Sequence, residues 1–125
     1  MAKKILLIDD ERLVRMSLEK LLLKNGFEVI ACESGAQAIA AVKSRDISLI
    51  ICDVRMPKID GITTLKEIRS FLASHHRSPI PEILITGYAD ARLAEEAEKM
   101  NVAEYIYKPF DLRDFLDCVK KHIVT

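Results

Sequence analysis

A chain of 125 residues has room for one domain, and a composition that is 50% hydrophobic and 30% charged excludes a disordered tail or a low-complexity linker. Nineteen Lys and Arg balance nineteen Asp and Glu, so the basic excess of a duplex nucleic-acid binder or an anionic-membrane binder is missing. Three cysteines, Cys32, Cys52 and Cys118, are odd in number and lack metal-ligand spacing, which argues against both a disulfide framework and a zinc site.

The N-terminus runs into a short apolar segment without a cleavage pattern, and no apolar run approaches the roughly 18 residues of a membrane span, so the expected location is the cytoplasm. The first strand is expected at Ile5 to Ile8. A helix with Val14, Leu18, Leu21 and Leu22 on one side follows and ends at Asn25-Gly26. Phe27 to Cys32 reads as the second strand, and Ser34-Gly35-Ala36-Gln37 reads as a capping box opening a helix through Ala38, Ile39 and Val42. Ile47 to Cys52 is the third strand, and Ile62, Leu65, Ile68 and Leu72 define the third helix. The polar segment from Ala73 to Pro81 is the long loop, in which His75 and His76 read as a solvated pair. Ile83 to Ile85 is the fourth strand. A fourth helix, Ala91 to Met100, has only Leu93 and Met100 as large apolar residues and is expected to be loosely held. Tyr105 to Tyr107 is the fifth strand, and Asp111 caps a last helix with Leu112, Phe115, Leu116, Val119 and Ile123 on one face. All three cysteines fall in apolar stretches and read as small buried hydrophobes.

Strands alternating with helices predict an α/β domain over 1–125, a parallel sheet with helices on both faces. In such sheets chemistry gathers at the carboxyl ends of the strands. Asp9 and Asp10 follow the first apolar run, Asp53 the third, Thr86 the fourth and Lys108 the fifth, whereas Glu33-Ser34 after the second suits an edge strand. Each alone has an ordinary explanation: Asp10 as a helix cap, Thr86 as a turn residue, Lys108 as a surface charge. Four strand ends with complementary chemistry do not share one. Two carboxylates about 4 Å apart repel by about 4 kcal/mol at an effective dielectric of 20, and one Lys leaves three of them at a formal −2. A Mg²⁺ brings that sum to zero, and hard oxygen donors suit it. A phosphoryl group placed on one carboxylate would find donors in Lys108 and Thr86.

At these residues the sequence resembles the response-regulator receiver domain of two-component signalling, as in chemotaxis regulators. The resemblance rests on Ile8-Asp9-Asp10-Glu11, Asp53-Val54-Arg55-Met56-Pro57 with Asp60-Gly61, Ile85-Thr86-Gly87, and Tyr105-Ile106-Tyr107-Lys108-Pro109-Phe110. It implies a five-stranded, doubly wound, flavodoxin-like sheet of order 2-1-3-4-5. It further implies that Asp53 accepts a phosphoryl group from a phosphohistidine on a sensor histidine kinase or histidine phosphotransfer protein. Asp10, Asp53 and the Arg55 backbone carbonyl would ligate Mg²⁺, with Asp9 acting through water. Lys108 and Thr86 would bind the phosphoryl oxygens, Tyr105 would be the switch aromatic, and the Lys108-Pro109 peptide would be cis. Gly61 supplies a turn, and Gly87 leaves the approach open. Asn101 stands where the family commonly has Gly, and Asn tolerates the left-handed turn. Arg55 occupies a position that in the family tunes phosphoryl lifetime.

The expected role is a phospho-accepting switch rather than a turnover enzyme. It would rearrange the face of the fourth helix, fifth strand and fifth helix toward a downstream effector domain or target, or toward a homodimer linked to phosphorylation. The start of the first helix (Arg12, Leu13, Arg15, Met16) is the expected kinase-docking surface; neither nucleic acid nor membrane is an expected direct partner. Four glycines, at 26, 35, 61 and 87, cannot compose a G-x-G-x-x-G or G-x-x-x-x-G-K-[ST] phosphate cradle, and Arg55 stands where an aspartyl-phosphatase needs a second Asp. A degenerate, purely scaffolding receiver would lack part of the acidic set, yet no member is missing. The domain either works alone or precedes an effector.

Overall fold

A computed structural model describes residues 2–56, 58–87 and 91–123; Pro57 of the quoted motif and the Leu93 side chain lie outside the described residues. Five strands alternate with five helices: β1 (Lys4–Ile8), α1 (Arg12–Lys24), β2 (Glu28–Cys32), α2 (Gly35–Ser44), β3 (Leu49–Asp53), α3 (Gly61–Ser74), β4 (Glu82–Thr86), α4 (Ala91–Met100), β5 (Glu104–Tyr107) and α5 (Leu112–His122). All strand pairs are parallel and the order is β2-β1-β3-β4-β5, as expected.

The period-two alternation of the strands sorts their side chains into two cores. Leu6, Ile8, Ile50, Cys52 and Leu84 face α2, α3 and α4, where Ala38, Val42, Ile62, Leu65, Ile68 and Leu72 cover them. Ile5, Leu7, Leu49, Ile51, Ile83 and Ile85 face α1 and α5, and meet Leu18, Leu22, Phe115 and Val119. Covering on both faces explains why β1, β3 and β4 read as unbroken apolar runs. β2 and β5 lie at the edges and are only partly buried. Among the described side chains of α4, Ala97 and Met100 are the buried ones.

Local chemistry sets the boundaries. Gly26 takes φ +89° after α1, the left-handed turn that Asn25-Gly26 promised. Ser34 Oγ accepts from the Gln37 N–H at 3.3 Å, while Gln37 reaches back to the Glu33 N–H at 2.9 Å, one residue earlier than in a standard capping box. Asp60 caps α3 by accepting from the Thr63 N–H at 2.7 Å, and Asp111 caps α5 by accepting from the Arg113 N–H at 2.7 Å. Asn101 sits at φ +56° after α4, in the left-handed conformation anticipated for it.

Several expectations need correction. Phe27 and Ile47 precede their strands, and α3 runs through Ser74 into the segment read as loop. His76 then takes φ +55° and Arg77 ties the loop to α2, its guanidinium donating to the Val42 carbonyl at 2.7 Å and the Arg45 carbonyl at 3.1 Å. His75 and His76 are both exposed. Leu112 is also exposed, at the first position of α5 and three residues before the buried Phe115. Cys32 and Cys52 are buried, but Cys118 is only half-buried, on the flank of α5.

Candidate functional site

The strand order reverses between β1 and β3, which pair in parallel with Ile8 opposite Cys52. The next residues, Asp9 and Asp53, therefore stand side by side at the carboxyl ends of two central strands, where such sheets bind their ligands. Asp9, Asp10 and Asp53 each offer a carboxylate oxygen within 4.8 Å of the others. Asp9 and Asp53 are buried, whereas Asp10 is exposed, so the group opens toward solvent on one side.

Lys108 reaches this group from the opposite direction. The end of β5 lies against the end of β4, Thr86 opposite Tyr107, and the Lys108 N–H donates to the Thr86 carbonyl at 2.7 Å. The Lys108 Nζ then lies 3.5 Å from Asp53 Oδ2, 3.7 Å from Asp9 Oδ2 and 3.6 Å from Glu11 Oε1. The Lys108-Pro109 peptide is cis. Thr86 is buried at the last position of β4. Asp10, Glu11, Asp53, Arg55, Gly87 and Lys108 line a shallow cleft of about 380 Å³ over these groups. Gly87 is exposed there, and a Cβ on it would approach Lys108 Cδ at 3.7 Å.

Burial, then the charge of Asp9, pushes the Asp53 carboxyl up to about 6, against the opposing pull of Lys108 and a hydrogen bond from the Arg55 N–H. Burial likewise raises Asp9, against the Glu11 N–H that donates to its Oδ1 at 2.9 Å. For Lys108, burial alone would lower the ammonium, but Asp53, Asp9 and Glu11 outweigh it and hold the group charged. Asp9, Asp10, Asp53 and Glu11 against Lys108 and Arg55 leave a formal −2 around the cleft. A donor set of this kind, all hard oxygen and net negative, fits Mg²⁺.

Asp10 is not a helix cap: Glu11 takes that position for α1, without a side-chain cap bond. Arg15 is drawn inward, its Nη1 donating to the Asp9 carbonyl at 2.8 Å, while Leu13 is 82% exposed and Met16 about half exposed on the same helix. Tyr105 is partly buried, packs edge-on to Tyr107 at 5.0 Å, and borders a groove of about 430 Å³ with Ala97 and Val102. Two features escaped sequence reasoning. One is the anchoring of Asp9 by Arg15, for which the spacing from 9 to 15 was the available clue. The other is the fit of Gly61 against the β3 end: a Cβ there would lie 2.2 Å from the Asp53 carbonyl oxygen.

The sequence profile of the response regulator receiver domain matches residues 5–120. The chain belongs to that family. As a receiver domain of two-component response regulators, it serves phosphoryl-accepting signal transduction. It is 35% identical over 122 residues to the chemotaxis protein CheY of Bacillus subtilis, covering 97% of this receiver domain and 98% of that protein. It is 38% identical over 123 residues to the response regulator protein FleR of Pseudomonas aeruginosa, covering 98% of this chain but 25% of FleR. The receiver domain thus spans about a quarter of that longer relative. Among solved structures, a response regulator receiver domain protein from Clostridium thermocellum superimposes with a TM-score of 0.84 at 29% identity, covering 97% of this chain and 94% of the other. A CheY-like receiver domain protein from Methanospirillum hungatei, at 24% identity and a TM-score of 0.87 over 97% of this chain and 93% of the other, shares the fold. Among the described residues, no helix is long and apolar enough to cross a membrane.

Proposed function

We propose that Asp53 is the phosphoacceptor and that this receiver domain switches a partner-binding face when Asp53 is phosphorylated. The observation that carries the reading is the placement of one ammonium, Lys108 Nζ, 3.5 Å from Asp53 and 3.7 Å from Asp9 in a cleft that a third carboxylate, Asp10, opens to solvent. An Asp53 oxygen attacks the phosphorus of a phosphohistidine on a sensor histidine kinase or phosphotransfer protein. The P–N bond breaks, its electron pair leaves with the imidazole, and an acyl phosphate forms. Phosphoryl transfer needs positioning and charge neutralisation more than covalent machinery. Lys108 would pair with the new oxygens, and the Thr86 hydroxyl would move to donate to them.

Asp10, Asp53 and the Arg55 carbonyl would hold Mg²⁺ directly and Asp9 would hold it through water, the ion supplying charge neutralisation at the phosphoryl group. Thr86 movement would draw Tyr105 deeper beside Ala97, altering the surface of α4, β5 and α5. That surface would meet an effector domain, a target protein or a second phosphorylated copy, and the exposed Leu13 and Met16 would meet the phosphodonor. We read residues 1–125 as one such domain, acting as a switch that assists its own phosphorylation and dephosphorylation rather than as a turnover enzyme. The cytoplasm is the expected compartment, since it keeps three unpaired thiols reduced. Incubation with acetyl phosphate and Mg²⁺, read by intact-mass spectrometry, tests the reading. One phosphoryl group per chain is expected, none with EDTA; uptake indifferent to EDTA would contradict the metal assignment.

A further inference from the structure

Away from the acidic cleft, the amino end of β5 faces the last turns of α5. Cys118 and His122 are four residues apart on α5 and so lie one above the other on the same side of the helix. Glu104, the first residue of β5, lies against them: His122 Nε2 and Glu104 Oε1 are 2.9 Å apart. One ligand atom each from Glu104, Cys118 and His122 lies within 4.8 Å of the others. All three side chains are half-buried, Glu104 at 40% and His122 at 20% exposure, so the group is reachable from solvent yet backed by protein.

We propose that Glu104, Cys118 and His122 bind a borderline-soft divalent cation, Zn²⁺ above all, pinning the edge strand β5 to α5. The donor set selects the ion. A sulfur, an imidazole nitrogen and a carboxylate suit Zn²⁺, whereas Mg²⁺ takes oxygen donors, so this site and the Asp9–Asp10–Asp53 cleft prefer different metals. Tetrahedral bonds of about 2.0 Å to nitrogen or oxygen and about 2.3 Å to sulfur set ligand atoms about 3.3–3.6 Å apart. The His122–Glu104 pair, at 2.9 Å, is slightly closer than that, and the Cys118 sulfur lies within 4.8 Å of both, so small side-chain rotations reach the geometry. Three protein ligands leave a fourth position for water. A sulfur ligand to Zn²⁺ is a thiolate, so binding releases the Cys118 proton. Cysteine spacing along the chain argued against zinc, because it registers pairs close in sequence; this site takes its third ligand from a strand 14 residues before Cys118. Glu104 stands at the opposite end of β5 from Lys108, about 13 Å away at the rise of a strand, so the two sites can be tested separately.

The test is a Co²⁺ titration of the reduced full chain, followed by the sulfur-to-cobalt charge-transfer absorption. That band reports thiolate ligation alone, so Co²⁺ in the all-oxygen cleft is silent in it. The band should saturate at one equivalent and vanish when Zn²⁺ is added. Cys118→Ser should abolish it, and Glu104→Gln and His122→Gln should each weaken binding by roughly tenfold or more. No band in the wild-type chain, a band that survives Cys118→Ser, or one indifferent to both Glu104→Gln and His122→Gln would overturn the proposal.

Discussion

The Cα of Gly61 is pressed so closely against the end of β3 that a Cβ on it would stand 2.2 Å from the carbonyl oxygen of Asp53, closer than any real contact. The Gly61 N–H also donates to the Val54 carbonyl at 2.7 Å, so the start of α3 is bonded to the residue after Asp53. The obstacle is backbone and cannot rotate away. Gly61→Ala should therefore destabilise the domain by about 2–3 kcal/mol, the upper part of the overpacking range, and slow phosphoryl uptake by moving Asp53. Urea unfolding and a phosphorylation time course check both.

Asp53 also makes stability depend on pH in an unusual direction. Its folded pKa of about 6 lies above the unfolded value of 3.8, because burial and Asp9 disfavour the carboxylate. Its contribution is fully present below about pH 4 and is lost as pH rises through about 6; Asp9, also raised, acts in the same sense. The gap corresponds to about 3 kcal/mol for a group this buried. In the presence of chelator, Asp53→Asn should be more stable than wild type at pH 7 by about 1–3 kcal/mol and equal to it near pH 4. Thermal unfolding at the two pH values reads this, and a variant less stable at pH 7 would contradict it.

Lys108 competes with any cation for the same carboxylates. Removing it takes away the charge 3.5 Å from Asp53 and 3.7 Å from Asp9. Lys108→Ala should bind Mg²⁺ severalfold more tightly, about 1 kcal/mol after screening, while responding less to phosphorylation. The chain has no Trp, so amide chemical shifts are the readout. Weaker Mg²⁺ binding would show that Lys108 organises the carboxylates rather than competing for them.

At the amino end of the strands, away from the cleft, Glu82 opens β4 while almost wholly buried, and the Arg69 guanidinium grips both its oxygens, with Nε at 3.1 and 3.0 Å and Nη2 closer still. Arg69→Ala would strand a buried carboxylate. The expected cost is about 2–3 kcal/mol, below the figure for a fully buried pair because Arg69 is 39% exposed. The double change Arg69→Met with Glu82→Leu should recover most of it in urea unfolding, since no charge is then left unpaired.

The sequence made the site legible where chemistry follows an apolar run. Asp9, Asp53, Thr86 and Lys108 could be placed at one rim because a parallel sheet aligns its strand ends, and the two cores follow from strand alternation. Contacts between elements distant in sequence left no such signal. The pairing of Glu82 with Arg69, the approach of Gly61 to Asp53, and the meeting of Glu104 with Cys118 and His122 each depend on how a helix settles on the sheet. Leu112 and Cys118 were misjudged for a related reason: helical spacing gives a face, but not where along the helix that face leaves the core.

Whether Asp53 carries the phosphoryl group is read most directly by comparing wild type with Asp53→Asn by intact mass after acetyl phosphate and Mg²⁺. One added phosphoryl group is expected on the wild-type chain and none on the variant. Equal uptake by Asp53→Asn, or none by the wild type under those conditions, would contradict the assignment.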